Sequence, residues 1–310
     1  MAADAAQVVL KSCIRTDNQF GCGAQTKAKL MANDCTASSF NRTGFSVLSG
    51  ACAVAVFKKC NATKNSIHGV YAADEGSRLE AQECTLQKNV HCGVMAAGAA
   101  EVLMRGCDST DNGSDGIVAE PKAKLTAEDC SASFCKGTGF SVHSGACVAL
   151  QKCTAARKSI HGVYAADKGS RLEAQGCTLE QNAHCGAMSA STAEEVVSGC
   201  HSTDNGKNGF LAQSQSTIAA NDCSASMCKG TGFAVFGGAR AVLDKCTAAK
   251  NRIHGVFAGG EESRLEAEGC TIERNVQSGV FASEAQREWL EPTTATTMEW
   301  MVCGPRARPR

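Results

Sequence analysis

The chain has 310 residues, 31 basic and 31 acidic side chains, and no formal net charge. That balance leaves no electrostatic footprint for nucleic acid, and no 18-residue apolar run is present to cross a membrane as a helix. The length alone suggests two domains, but internal repetition overrides that expectation.

The opening segment, residues 1–13, has no basic stretch leading into an apolar one, so a signal peptide is not expected. Val8 and Leu10 already fit the repeat pattern, which leaves the N-terminal edge without a cap. Solenoid ends are normally covered, so a longer product or a pairing partner is expected there. One cysteine then marks each unit: Cys13, Cys35, Cys60, Cys84, Cys107, Cys130, Cys153, Cys177, Cys200, Cys223, Cys246 and Cys270, in steps of 22 to 25 residues. Four units make a longer repeat. Ile67–Thr85 returns 93 residues later as Ile160–Thr178, with two of nineteen positions changed, and again as Ile253–Thr271. A short fixed period means a solenoid or array.

The pattern inside a unit selects the kind of solenoid. Residues five and three before the cysteine are apolar, from Val8/Leu10 to Leu265/Ala267, with Glu195 as the exception. The residue two before it is polar in every unit, which is the alternation of a strand with one buried face. Ten residues after the cysteine begins a second apolar column, Phe45, Val70, Val94, Ile117, Phe140, Val163, Ala187, Phe210, Phe233, Val256 and Val280. A glycine precedes each and is expected to turn the chain into that strand. Asparagine stands five residues after the cysteine in eight units: Asn18, Asn65, Asn89, Asn112, Asn182, Asn205, Asn251 and Asn275. Stacked on itself it forms an amide ladder, with the small, apolar thiols as a second one. No unit has room for a helix. The expected fold is therefore all-β, a single parallel β-helix of about twelve coils. One coil alone buries too little apolar surface to offset its ordering entropy; stacking at about 4.8 Å per coil gives a rod of roughly 55 Å.

These columns resemble the right-handed parallel β-helix repeat family over residues 7–283, and right-handedness is what the resemblance implies. The expected organisation is a β-helix over 1–283, in long repeats of about 1–94, 95–187 and 188–280, followed by a cap and basic tail over 284–310. Ser283 and Gln286 have capping-box spacing, and Pro292 stops the segment. A short helix is thus expected over 283–292, with Trp289 or Leu290 against the open core. Parallel, inward-pointing cysteines suit disulfides poorly. Reduced thiols and an intracellular, cytoplasmic protein are expected, although Asn41, Asn61 and Asn112 each open a glycosylation triplet.

Three sets of residues bear on chemistry. Asp17, Asp111 and Asp204 precede ladder asparagines and read as turn residues, since one carboxylate per four coils cannot encage calcium. His68, followed in the next coils by Cys92 and Asp115, resembles a ligand column, but it decays to His161, Cys185 and Asn208 and then to His254 and Ser278. Turn packing is the expected role, with no metal and no cofactor. The third set lies one residue past the inward column and is expected to face outward: Ser46, Tyr71, Met95, Val118, Ser141, Tyr164, Met188, Leu211, Ala234, Phe257 and Phe281. An exposed apolar stripe marks a partner surface. Tyr71, Tyr164, Phe257, Met95, Met188 and Phe281, rimmed by His68, His161 and His254, are therefore the candidate binding residues. No catalytic residue is assigned, because these polar groups recur with the repeat whereas a catalytic site is normally unique.

Two functions follow. The coils resemble the β-helix region of F-box-only proteins, which implies a non-catalytic scaffold for a protein partner, similar to a ubiquitin-ligase adaptor. They also resemble pectate lyases and alginate epimerases, which implies a carbohydrate-active β-helix, a polyuronate lyase or C5-epimerase. The first is the expectation taken from the sequence. An acidic cluster with a neighbouring Arg or Lys, which the second would place on one strand face, is not legible in it.

Overall fold

The computed structural model describes residues 6–17, 21–48, 53–157 and 160–283, with the backbone of two further short strands, Trp289–Leu290 and Met301–Val302. Every regular element among them is a strand, and the strands form a parallel β-helix of twelve coils. Each coil contributes a five-residue strand, a three-residue strand and a third strand of three to six residues. Like strands stack into three parallel sheets of 13, 12 and 13 strands. In the fourth coil these are Arg78–Gln82, Thr85–Gln87 and Val94–Ala96.

Alternation sets the facing. Arg78–Gln82 buries Leu79 and Ala81 and exposes Arg78, Glu80 and Gln82. The register puts Leu79 beside Ala55 in the preceding coil and Val102 in the next, so each inward column is continuous. Outside, Arg and Glu pair more often between coils (Arg78–Glu101, Arg240–Glu266) than within a strand (Arg171–Glu173). All are exposed and worth little to stability.

Two left-handed residues bend the chain around each short strand. In the fourth coil they are Glu83 (φ 52°) and Lys88 (φ 57°), and the same two positions are left-handed along the solenoid. Such a backbone costs a non-glycine residue about 1–2 kcal/mol. The stack enforces it, because the Glu83 N–H donates to the Arg105 carbonyl at 2.9 Å and the Lys88 N–H to Thr110 at 3.2 Å. Asp17, Asp111 and Asp204 occupy the second of these corners, with φ of 53–55°. Their place is structural, and the left-handed residue is the one before the asparagine rather than the asparagine itself.

The ladder asparagines bond between coils. Asn89 Oδ1 accepts from the backbone N–H of Asn65 at 3.1 Å and from its Nδ2 at 2.9 Å, while Asn89 Nδ2 donates to the Ala62 carbonyl at 3.1 Å. Asn182–Asn205 and Asn251–Asn275 repeat the arrangement, and Cys135 and Cys228 fill the gaps as buried thiols. Asn18 lies outside the described residues. The glycines before the third strand have a different cause from the one expected. Gly69 does not take a positive φ; instead, a Cβ there would lie 2.7 Å from the Gly93 carbonyl oxygen and 2.9 Å from Asn89 Nδ2. Close approach to the ladder, not turn conformation, excludes a side chain.

One core position stands apart. Glu195 takes the place held by Leu172 and Ile218 in the adjoining coils. It is 1 % exposed, and neither carboxyl oxygen has a hydrogen-bond partner. Burial pushes its pKa up to about 8, helped by the nearby Cys200 thiol, so it is protonated at neutral pH.

The C-terminal helix expected over 283–292 needs correction where the chain is described. Trp289–Leu290 runs parallel to the last five-residue strand, opposite Glu266 and Ala267, and Met301–Val302 pairs with Phe281 and Ala282. An open parallel edge offers unpaired N–H and C=O groups, and these two segments take them up. The remainder of 284–292 lies outside the described residues.

Candidate functional site

The third sheet carries the candidate residues, but not as an open stripe. Val118, Met188, Leu211 and Ala234 are buried, and Tyr71, Met95, Tyr164, Phe257 and Phe281 are half-buried. In the first long repeat residues of the turn entering the sheet (Arg42, Ile67, His68) and of its exit (Gln25, Leu48) wall the outer face on two sides, and the burial of Val118, Met188, Leu211 and Ala234 continues that covered floor into the later coils as a groove. Around the first long repeat the groove holds a cavity of about 450 Å³ lined by Arg42, Ser46, Leu48, His68, Tyr71 and Met95 among others. Where the second and third long repeats meet, Cys185, Met188, Ala190, Leu211 and Ala234 form a small apolar cluster outside the barrel, with Tyr164 and Phe257 packed on it.

The His/Cys/Asp column lies along this floor as a set of clamps between coils. His68 Nδ1 accepts the Cys92 backbone N–H at 3.3 Å, which places the proton of the neutral ring on Nε2. Asp115 accepts the Thr138 N–H at 2.6 Å and the Ser141 hydroxyl at 2.7 Å; Asn208 accepts the Thr231 N–H at 2.9 Å. The Asp115 carboxylate is thus consumed internally. Among the described residues no three His, Cys, Asp or Glu side chains converge to hold a metal ion. Burial pushes the Cys92 thiol up to about 12, with the Asp115 charge adding to it, and Cys185 up to about 11.

Each histidine of the column stacks on the aromatic residue three places on: His68 on Tyr71 at 5.7 Å, His161 on Tyr164 at 5.5 Å and His254 on Phe257 at 5.6 Å. Burial holds all three pKa values down. His68 falls to about 4, with His91 contributing, and His161 to about 4, with His184 and Lys207 contributing. These rings are neutral at neutral pH. Both tyrosine pKa values are raised, first by burial and then by Asp74 and Glu120 near Tyr71 and by Asp167 near Tyr164, so both phenols keep their protons.

The repeats differ in the residues around those rings. Leu48, Tyr71 and Asp74 of the first repeat correspond to His143, Tyr164 and Asp167 of the second and to Phe236, Phe257 and Gly260 of the third. Only the second set carries three groups able to exchange protons or hold one in place. His143 lies edge-on to Tyr164 at 5.4 Å, and its Nδ1 is 3.9 Å from Asp167 Oδ2. Asp167 Oδ2 also accepts the Ser144 N–H at 3.2 Å, which fixes the carboxylate. On the other bank Lys207 follows His184, its backbone N–H donating to the His184 carbonyl at 2.7 Å, and its charge depresses the pKa of both His161 and His184. The sequence-predicted residues His161, Tyr164 and Met188 come together here. His143 and Lys207 were missed because they do not recur, and Asp167 and His184, which recur once as Asp74 and His91, because only stacking sets them beside His143 and Lys207; the signal was a polar residue at 143 where the other long repeats have Leu48 and Phe236.

Residues 68–222 and 161–293 match the family model described as a right handed beta helix region. The sequence matches no curated protein. Among solved structures, the periplasmic alginate epimerase AlgG superposes with a TM-score of 0.64 at 8 % identity, over 89 % of this chain and 78 % of that one. The A-module of the mannuronan C-5 epimerase AlgE4 from Azotobacter vinelandii gives 0.60 at 10 % identity, over 96 % and 91 %. The catalytic unit of a GH87 alpha-1,3-glucanase from Streptomyces thermodiastaticus gives 0.60 at 8 % identity, over 96 % and 64 %. At these identities the likeness establishes the fold alone.

Proposed function

We propose, from the premise that the chain belongs to the right-handed β-helix family, that it is a carbohydrate-active member holding a linear acidic polysaccharide along the third-sheet groove. The observation that carries this reading is the His143–Tyr164–Asp167 set, which occurs in one long repeat of three. An interaction scaffold would use the same floor but gives no role to a proton-transfer set present once. The carbohydrate-active neighbours favour the same choice.

The groups fit removal of a proton next to a carboxylate better than glycoside hydrolysis. Hydrolysis ordinarily needs two available carboxyl groups flanking the bond. Here Asp115 is consumed, and Asp167 is engaged with His143 and Ser144. In a polyuronate, Lys207 would take the sugar carboxylate and stabilise the charge that develops on it. The Asp167 carboxylate, 3.9 Å from His143 Nδ1, favours a proton on that nitrogen electrostatically and so leaves Nε2 with the lone pair, the arrangement of a general base. His143 takes the C5 proton, the electron pair forms the C4=C5 double bond, the C4–O bond breaks, and the Tyr164 phenol gives its proton to the leaving oxygen. Proton transfer from His143 back to Tyr164 resets the pair. Both groups rise from one sheet and reach one side of the sugar. That favours elimination over C5 inversion, which needs a donor on the opposite face. The chain is thus read as a polyuronate lyase.

The test is the appearance of unsaturated uronate, followed by absorbance, from polygalacturonate and polymannuronate. Wild type and Tyr71→Phe should be active, and Tyr164→Phe and His143→Gln should not. An inert wild type on both polymers, or equal losses from Tyr71→Phe and Tyr164→Phe, would sink the reading.

A further inference from the structure

The third long repeat continues the same groove without the means to move protons. Phe236 and Phe257 replace His143 and Tyr164, and Gly260 replaces Asp167. In their place is a block of rings. Phe257 lies 4.9 Å from Phe236, 5.6 Å from His254 and 5.6 Å from Phe281, with the last two within 19° of parallel to it. His254 and Phe281 are 4.8 Å apart. Gly259 makes this possible: a Cβ there would meet the Phe257 ring at 2.5 Å, so the ring occupies space that any other residue would fill. The result is an apolar floor, with Phe236 still 39 % exposed.

The banks are charged unequally. The turn entering the third sheet carries exposed Lys207, Lys229 and Arg252 in three successive coils, and no Asp or Glu occupies the two positions before the histidine column in any coil from 41–42 to 276–277. The opposite bank carries Glu261 and Glu262. A polymer of like-charged sugars would therefore lie against the entering bank, with its C–H faces on the rings and its anionic groups towards the cations. Coils repeat at about 4.8 Å, so Phe257 lies four coils, roughly 19 Å, from Tyr164 along the axis.

Resting on the lyase reading of Tyr164, we infer that the face of Phe236, Phe257, His254 and Phe281, banked by Lys229 and Arg252, is a non-catalytic subsite for the same acidic polysaccharide. A chain long enough to span both places is held twice, and the second contact acts at the effective concentration set by the first. Short oligomers reach Tyr164 without reaching the subsite.

The experiment compares tetra- and deca-mannuronate, whose C5–H and C4–O bonds lie on one face, as substrates for wild type, for Lys229→Gln/Arg252→Gln, and for Phe236→Ser. The two cations are exposed, so the double variant keeps its fold. Wild type should show a KM about tenfold lower for the decamer than for the tetramer. Both variants should lose most of that gain while keeping the tetramer's kcat/KM. A length gain that survives in the variants overturns the subsite. Should no turnover occur, calorimetric binding of the decamer decides the matter separately. Weaker binding by the double variant than by wild type upholds the subsite without the lyase, and equal or absent binding overturns it.

Discussion

The second and third long repeats share a backbone plan and nearly all of their inward columns, yet their outer faces have become different surfaces. Leu172 and Leu265 keep the same inward place, as do Cys177 and Cys270. Outside, His143, Tyr164 and Asp167 answer to Phe236, Phe257 and Gly260. A β-helix coil is constrained inside by columns that must match the coils above and below, and on the floor of its groove by far less. Differences between otherwise identical repeats therefore locate function better than the repeats themselves.

The largest expected effect is on the second repeat. Tyr164→Phe and His143→Gln should each lower turnover of a polyuronate by about 10²–10⁴-fold, the usual contribution of a positioned acid or base, while Phe257→Leu in the third repeat leaves the tetramer rate unchanged. Kinetics on one short substrate separate the two regions.

The next effect concerns the place where the third repeat departs inside. Glu195 binds a proton in the folded chain that the unfolded chain releases near the ordinary glutamate value of 4.5, and holds it up to about 8. Stability therefore falls as pH rises from about 4.5 to 8 and levels off above. Glu195→Leu removes that dependence, and its advantage over wild type should grow by about 3 kcal/mol between pH 5 and pH 8. Urea unfolding at both pH values checks this, and a constant difference would contradict the burial of an ionisable acid.

A smaller change tests the ladder. Asn205→Ala leaves the Asn182 amide without its acceptor and should cost about 1–3 kcal/mol, whereas Asn275→Ala, in the last described coil, should cost less. Smallest is the histidine contribution. His68 and His161 are held near 4 in the fold against an ordinary 6.5. The stability they allow is full above about 6.5 and lost as pH falls towards 4. His161→Asn should flatten that acid limb in a thermal melt series from pH 4 to 7.

Much of the fold was legible because a solenoid writes its register into the sequence many times. The alternation before each cysteine fixed the five-residue strand, and the recurrent asparagine fixed the ladder. The reason for the glycines was not legible, because it lies in the neighbouring coil: only the stack shows that a Cβ at Gly69 would strike Asn89 and Gly93. The site was half legible. Tyr164 and His161 were found because they recur with Tyr71 and His68. His143 and Lys207 escaped for the opposite reason: they have no counterparts in the other long repeats and lie 21 residues before Tyr164 and 46 after His161 in sequence, so only stacking makes them neighbours; Asp167, three residues past Tyr164, recurs as Asp74 and stands out only once His143 is beside it. The outer stripe looked exposed because alternation gives the side of a strand and not what rises beside it.

The most direct measurement is a proton NMR spectrum of polymannuronate and of polygalacturonate after incubation with the wild-type chain and with His143→Gln/Tyr164→Phe. C4=C5 alkene protons are expected at new chain ends with the wild type on at least one polymer, and none with the double variant. Inverted C5 centres in uncut chains, or unchanged polymer beside a folded wild type, would contradict the lyase reading.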